Sequence, residues 1–257
     1  MPGKAFEGKI IQKIVIHGNA LKGMTKGDGD SASQSNPMAA AFMGGMNLKA
    51  DVTMHVRTDR VAVETSMFGG LVSMRQIIDR NSRKMTMIIP MAKQAVVVDL
   101  AEMDKVRGEL DDSLQKNHGL FDSLTSSIPK ATGNKEEING FDCEEYRVTS
   151  SVEGKTMEVE MWITQDPRLK FYDVVRDALL GKKRTGAGGF EELMAILEPF
   201  AGQGKVAVKM ILRIDGKDYL SSEMTEMVEE KTEDKYFEIP KGFEIKEQHI
   251  ADTTTSR

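Results

Sequence analysis

One cysteine, one tryptophan and seven prolines are all that 257 residues contain of those types, and aromatic residues make up only 6% of the chain. A lone cysteine excludes an intramolecular disulfide. Cys143 also lies beside Phe141 in a strand-like pattern, the setting of a buried inert thiol rather than of a nucleophile. No run approaches the roughly 18 apolar residues of a membrane-spanning helix, and the opening MPGKAFEGK has no hydrophobic signal core. The scarcity of stacking aromatics and a net charge of -5 argue against nucleic acid as a partner.

Catalytic signatures are missing as well. His17, His55, His118 and His249 stand on different segments, none in a metal-ligand spacing, so no metal or other cofactor is expected. There is no Gly-x-Ser-x-Gly, and Cys143 has no sequence-local partner. The pairs Glu136-Glu137, Glu144-Glu145 and Glu191-Glu192 are adjacent, which on a strand or helix points the carboxylates apart, as on a solvated face. An enzyme is therefore the weakest of the functional readings.

What the chain has in excess is methionine, 18 residues of it, and alternation. Residues 138–164 read as one long hairpin. Met157, Val159, Met161 and Ile163 alternate with polar residues in the second arm, with Trp162 as the exception. The first arm changes phase between Cys143 and Tyr146, for which a bulge near Glu144 and Glu145 is the expected cause. Residues 6–17 read as a first strand. Val52, Met54 and Val56 return through Val61 and Val63; Met85, Met87 and Ile89 belong to a further hairpin; residues 95–100 are apolar enough for a central strand. Residues 206–229 form another hairpin about Asp215-Gly216, and 236–245 a last short piece.

Helical periodicity is confined to a few places. Met103, Val106, Leu110 and Leu114 make one stripe, and residues 168–180 and 190–200 two more. Asn36 and Pro37 can start a short, charge-free helix carrying Met38, Phe42 and Met43, either a core plug or a movable lid. The Gly, Ser and Asp-rich stretch 22–35 reads as a flexible loop, 122–137 as a loop with Pro129 and Gly133, the basic stretch 181–189 as a connector, and 251–257 as a disordered tail. Roughly ten strands joined as neighbouring hairpins predict a mainly β (α+β) fold. It is a curved antiparallel meander whose apolar face is covered by a few helices acting as a lid.

The opening FEGKI, the hairpin INGFDCEEYRV, the strand MEVEMWIT and the closing YFEIPKGFEI together resemble an uncharacterised bacterial envelope family, of the domain of unknown function 4412 type. That family is similar in turn to the lipoprotein carrier LolA and the receptor LolB. The resemblance implies a single LolA-like half-barrel domain over residues 5–250, unclosed, with helices over an apolar cavity. It also implies a periplasmic location, with a signal peptide removed, and no enzymatic activity. The carrier's functional arginine matches no single one of Arg57, Arg75 or Arg80.

The expected function is then a non-enzymatic carrier or sensor of a lipid, lipopeptide or other apolar ligand. Met54, Met67, Met87, Met161 and Met210 would line the cavity, and Phe42, Met43 and Met46 would gate it. Plain core is the alternative for each methionine. The alternative for the whole chain is an envelope interaction module with a filled interior, displaying its edges or loops to a protein partner.

Overall fold

The computed structural model describes residues 6–18, 47–102, 124, 127–152, 154–173, 175, 196–200 and 203–247. The loop 22–35, the segment with Phe42, Met43 and Met46, the stripe from Met103 to Leu114, the connector 181–189 and the tail 251–257 lie outside these residues.

The fold is mainly β, and the described residues build one unclosed sheet of twelve strands. In chain order these are β1 (Gly8–Ile16), β2 (Leu48–Val56), β3 (Arg60–Met67), β4 (Val72–Asp79), β5 (Lys84–Ile89), β6 (Gln94–Asp99), β7 (Lys130–Ile138), β8 (Phe141–Val152), β9 (Lys155–Thr164), β10 (Val206–Ile214), β11 (Lys217–Glu229) and β12 (Glu244–Glu247). Their spatial order is β12-β6-β5-β4-β3-β2-β1-β11-β10-β9-β8-β7. Consecutive hairpins give consecutive neighbours on each side, and β1 is the seam: it pairs with β2 on one edge and β11 on the other, both antiparallel.

The sheet curls between β11 and β8. The β7–β8 turn is Asn139-Gly140, both at positive φ (51° and 80°), the pair that a tight twisted hairpin favours. Asn139 Nδ2 donates to Glu223 Oε1 (3.0 Å) and to Met224 O (2.7 Å), on a strand three positions away in the sheet. Phe141 and Cys143 accordingly share a packed cluster with Ile10, Met54, Val61, Ile78 and Met85 from the other half.

Several expectations need correction. The phase change in β8 is not a bulge, because its register against β9 runs unbroken from Cys143 to Val152. Instead the two ends of β8 pack into different clusters: Phe141 and Cys143 join the one around Ile10, while Tyr146 and Val148 join a second with Met157, Met161 and Leu212. The nearby irregularity lies in β7, between Ala131 and Lys135. Much of 122–137, expected as loop, is strand β7. It sits at an edge with every residue but Ile138 exposed, so it needs no apolar alternation. β6, expected to be central, is next to the other edge, capped only by four residues of β12, and that pairing is parallel.

After β11 the chain crosses the outer face as a strap to reach β12. Phe237 of the strap sits on Ala62, Ile77, Ile88 and Ala95 in a third cluster, with Tyr236, Ile239 and Phe243 packed around it. Tyr236 stacks on the buried His55 at 3.5 Å between ring centroids and an interplanar angle of 11°. Thr232 Oγ1 donates to Val56 O (3.2 Å), and Arg57 donates to Thr232 O (2.5 Å) and Asp234 Oδ1 (2.7 Å).

Candidate functional site

Side chains opposite one another in a sheet share a face, so the register decides which candidate residues meet. One row runs Tyr146, Met161, Met210, Ser222, Ile14, Ala50, Met67, Val72 across eight strands. A second row runs Ile10, Met54, Val63, Gln76, Met87, Val96. Ile10 and Ile14 have the same parity on β1, and its neighbour β2 keeps an unbroken register against it. The five methionines expected to line the cavity, Met54, Met67, Met87, Met161 and Met210, therefore lie on one face, the inner one.

They are not equivalent. Met54, Met161 and Met210 are packed, at 2%, 0% and 4% exposure. Met67 and Met87 are half-buried and belong to none of the packed clusters formed by the described residues. Around them Val72, Met74, Ile89 and Val96 are also half-buried and share the inner face. The part of the inner face on β3 to β6 is thus apolar, methionine-rich and incompletely packed. Polar groups are sparse on this face: Thr65, Gln76 and Gln94 lie on β3, β4 and β6, and on β1 and β11 Gln12 Nε2 donates to Ser222 Oγ at 2.6 Å. Tyr172, packed against the first cluster, has a buried hydroxyl with no hydrogen-bond partner among the described residues.

At the far end, β7, β8 and β9 frame an open cleft of about 580 Å³, lined among others by Lys135, Glu136, Glu144, Tyr146, Ile163 and, just ahead of β10, Lys205. Its floor includes Cys143, whose thiol burial pushes up to about 11, so it stays protonated and inert. Tyr146 donates to Glu144 (3.0 Å) and meets Phe200 edge-on. The described residues hold no cluster of three or more metal-ligating side chains, and no described helix is long and apolar enough to cross a membrane.

The outer face of β8 to β11 carries ions instead. Glu145, 1% exposed, accepts from Thr132 Oγ1 (2.8 Å), Asn134 Nδ2 (2.5 Å) and Arg147 Nε (2.5 Å). Arg213 bridges Glu158, Glu160 and Asp218, and Trp162, the break in the alternation of β9, donates to Glu160 at 3.0 Å. Burial alone would raise the Glu145 and Glu160 carboxyls; the donors from Asn134, Thr132 and Arg147 on one and from Arg213 and Trp162 on the other outweigh it and lower both. A carboxylate with a depressed folded pKa stabilises above its unfolded value, about 4.3, and that contribution disappears as pH falls through the folded value. The melting temperature should hold level at neutral pH and fall progressively below about pH 4.5. In Glu145→Gln that acid limb should be shallower; an unchanged limb would place the acid sensitivity elsewhere.

The sequence reading missed this network because each of its carboxylates sits in an ordinary polar position of a strand. Only the pairing of β8, β9 and β10 aligns them.

The sequence model described as Domain of unknown function (DUF4412) matches residues 42–243. No curated protein matches the chain. Among solved structures, PNGF-II aligns with 96% of this chain and 32% of its own at 12% identity and a TM-score of 0.39, so the chain spans about a third of that protein's length. An uncharacterized conserved protein from Thermus thermophilus aligns over 93% of this chain and 90% of its own at 10% identity and a TM-score of 0.40. Likeness at that level carries no functional argument. With the family match extending from ahead of β2 to the end of the outer strap, this chain belongs to the DUF4412 family.

Proposed function

We propose that this chain is a non-enzymatic, periplasmic carrier or sensor that holds a lipid, lipopeptide or other apolar ligand against the inner face of a LolA-like half-barrel. The observation that carries the reading is the inner-face patch around Met67 and Met87, apolar, half-buried and outside the packed clusters formed by the described residues. Methionine is flexible and polarizable, suited to apolar ligands of irregular shape. Burial at roughly 25 cal/mol per Å² would hold an acyl chain without any charge.

A second reading, an envelope interaction module with a filled interior, draws on Met54, Met161 and Met210, whose packing is that of ordinary core. The two part at Met67 and Met87. Native mass spectrometry with lipid extraction, on protein purified from an envelope-containing host, should find a co-purifying apolar molecule. Met67→Glu/Met87→Glu should lose it and bind a fluorescent fatty acid on the order of 10-fold or more weakly, since each methionine contributes at least about 1 kcal/mol of apolar contact. An apoprotein that takes up no fatty acid, or a double variant that binds like the parent, would favour the interaction module.

A further inference from the structure

The hairpin turns at the two ends of the β2 to β6 half are of opposite character. At one end the connections are residues 57–59 (RTD) and 80–83 (RNSR), rich in charge, with Arg60 on Asp59 and the Asp79 carboxylate accepting from the amides of Asn81 and Ser82. This is the usual chemistry of exposed turns. At the other end they are 68–71 (FGGL) and 90–93 (PMAK), which contain no carboxylate in a chain of net charge -5, and one cation, Lys93.

These two turns are neighbours. β4 begins at Val72, directly after the first, and it pairs with β5, which ends where the second begins. β4 also lies against both the Phe68–Gly70 and the Pro90–Ala92 turns, which brings Leu71 and Met91 to the same end of the sheet. Leu71 and Met91 are 78% and 77% exposed and Phe68 is 37% exposed. Phe68 is also held at φ 53°, a left-handed conformation that a non-glycine residue adopts at a cost, although the two residues after it are glycines. Lys93 of the second turn is likewise left-handed, at φ 49°.

From this geometry we infer that the paired turns 68–71 and 90–93 form a docking edge for the surface of an anionic phospholipid bilayer. The three side chains expose on the order of 400 Å² in all, well short of the roughly 800 Å² per partner that a stable protein interface buries. A bilayer needs no such area, because apolar tips insert among acyl chains while a neighbouring lysine stays at the headgroups. Lys93 is placed for that contact, and Glu244, on the strand beside the second turn, is engaged by Gln94 and Lys246. The inference does not require the inner face to hold a ligand.

The test is flotation of the full chain with vesicles of phosphatidylcholine alone and with about a third phosphatidylglycerol, the latter bound more strongly at low salt. Leu71→Asp/Met91→Asp should lower the partition coefficient at least 10-fold with an unchanged circular dichroism spectrum. Lys93→Glu should abolish only the preference for anionic vesicles. Phe68→Gly should weaken flotation as well, with an unchanged circular dichroism spectrum. Absence of flotation with both vesicle types, or a double variant that floats like the parent, would overturn the proposal. So would lipid-free self-association, seen by light scattering and removed by the double variant with no change in flotation. Fatty-acid uptake measured on the double variant keeps this result separate from that of the ligand-binding reading.

Discussion

Phe237→Ala should lower the free energy of unfolding by about 3–5 kcal/mol, the range for removing a buried phenyl ring from a packed site. The ring is 7% exposed and rests on four residues from β3 to β6, each itself at 6% exposure or less: Ala62, Ile77, Ile88 and Ala95. Two of them are alanines with no side chain able to move into the space. The Arg57 guanidinium sits 4.7 Å from the ring centroid, so truncation also strips one face from a cation. Urea unfolding gives the loss directly. Hydrogen exchange localises it: amides of β6 and β12 should lose protection ahead of those in β9 and β10, because the strap carries β12 to its parallel partner. Phe237→Leu, which keeps most of the volume, should cost well under half as much. A loss below about 1 kcal/mol in Phe237→Ala would mean that the strap is a passenger on the sheet.

Gly8→Ala should cost about 3 kcal/mol and lower Tm on the order of 10 °C. A Cβ on Gly8 would stand 2.0 Å from the carbonyl oxygen of Val228 and 2.7 Å from Cζ of Phe6. The backbone oxygen belongs to β11, paired with β1 at this point, and cannot rotate away as a side chain can. Relief requires opening the seam between the two halves of the sheet, where Glu230 N also donates to Glu7 O and Glu7 Oε1 accepts from Thr232 N. Differential scanning calorimetry decides it. A Tm within about 2 °C of the parent would show that the seam can spread at little cost.

The strands that could be read from the sequence are those with one wet face and one dry face. Met157 to Ile163 and Val206 to Ile214 alternate because their odd or even members are driven into a core, and the physics is local enough to leave a mark every second residue. β7 left no such mark. An exposed edge strand is held by its ladder with β8, a backbone interaction to which KATGNKEEI contributes no apolar signal. The phase change in β8 was visible, yet its cause was not. A bulge and a change of packing partner produce the same sequence of apolar residues, and only the intact register of 143–152 separates them.

The candidate site divides in the same way. That Met54, Met67, Met87, Met161 and Met210 could share a face followed from alternation once the hairpins were placed. Which of them are core depended on what lies over each strand, and that is set by residues distant in sequence. The apolar turns 68–71 and 90–93 stood in the sequence throughout, but their adjacency arises from the pairing of β4 with β5.

By itself the sequence determined a β meander with a methionine-rich side, because period-two alternation and turn chemistry are short-range properties of the chain. Only the tertiary structure decided that the meander is split by β1, so that its first strand lies at the centre of the sheet. It alone sends YFEIPKGF across the outer face to a parallel partner, and it alone places two hydrophobic turns side by side. Those outcomes come from contacts between segments tens to hundreds of residues apart, whose energies depend on packing that no local pattern records.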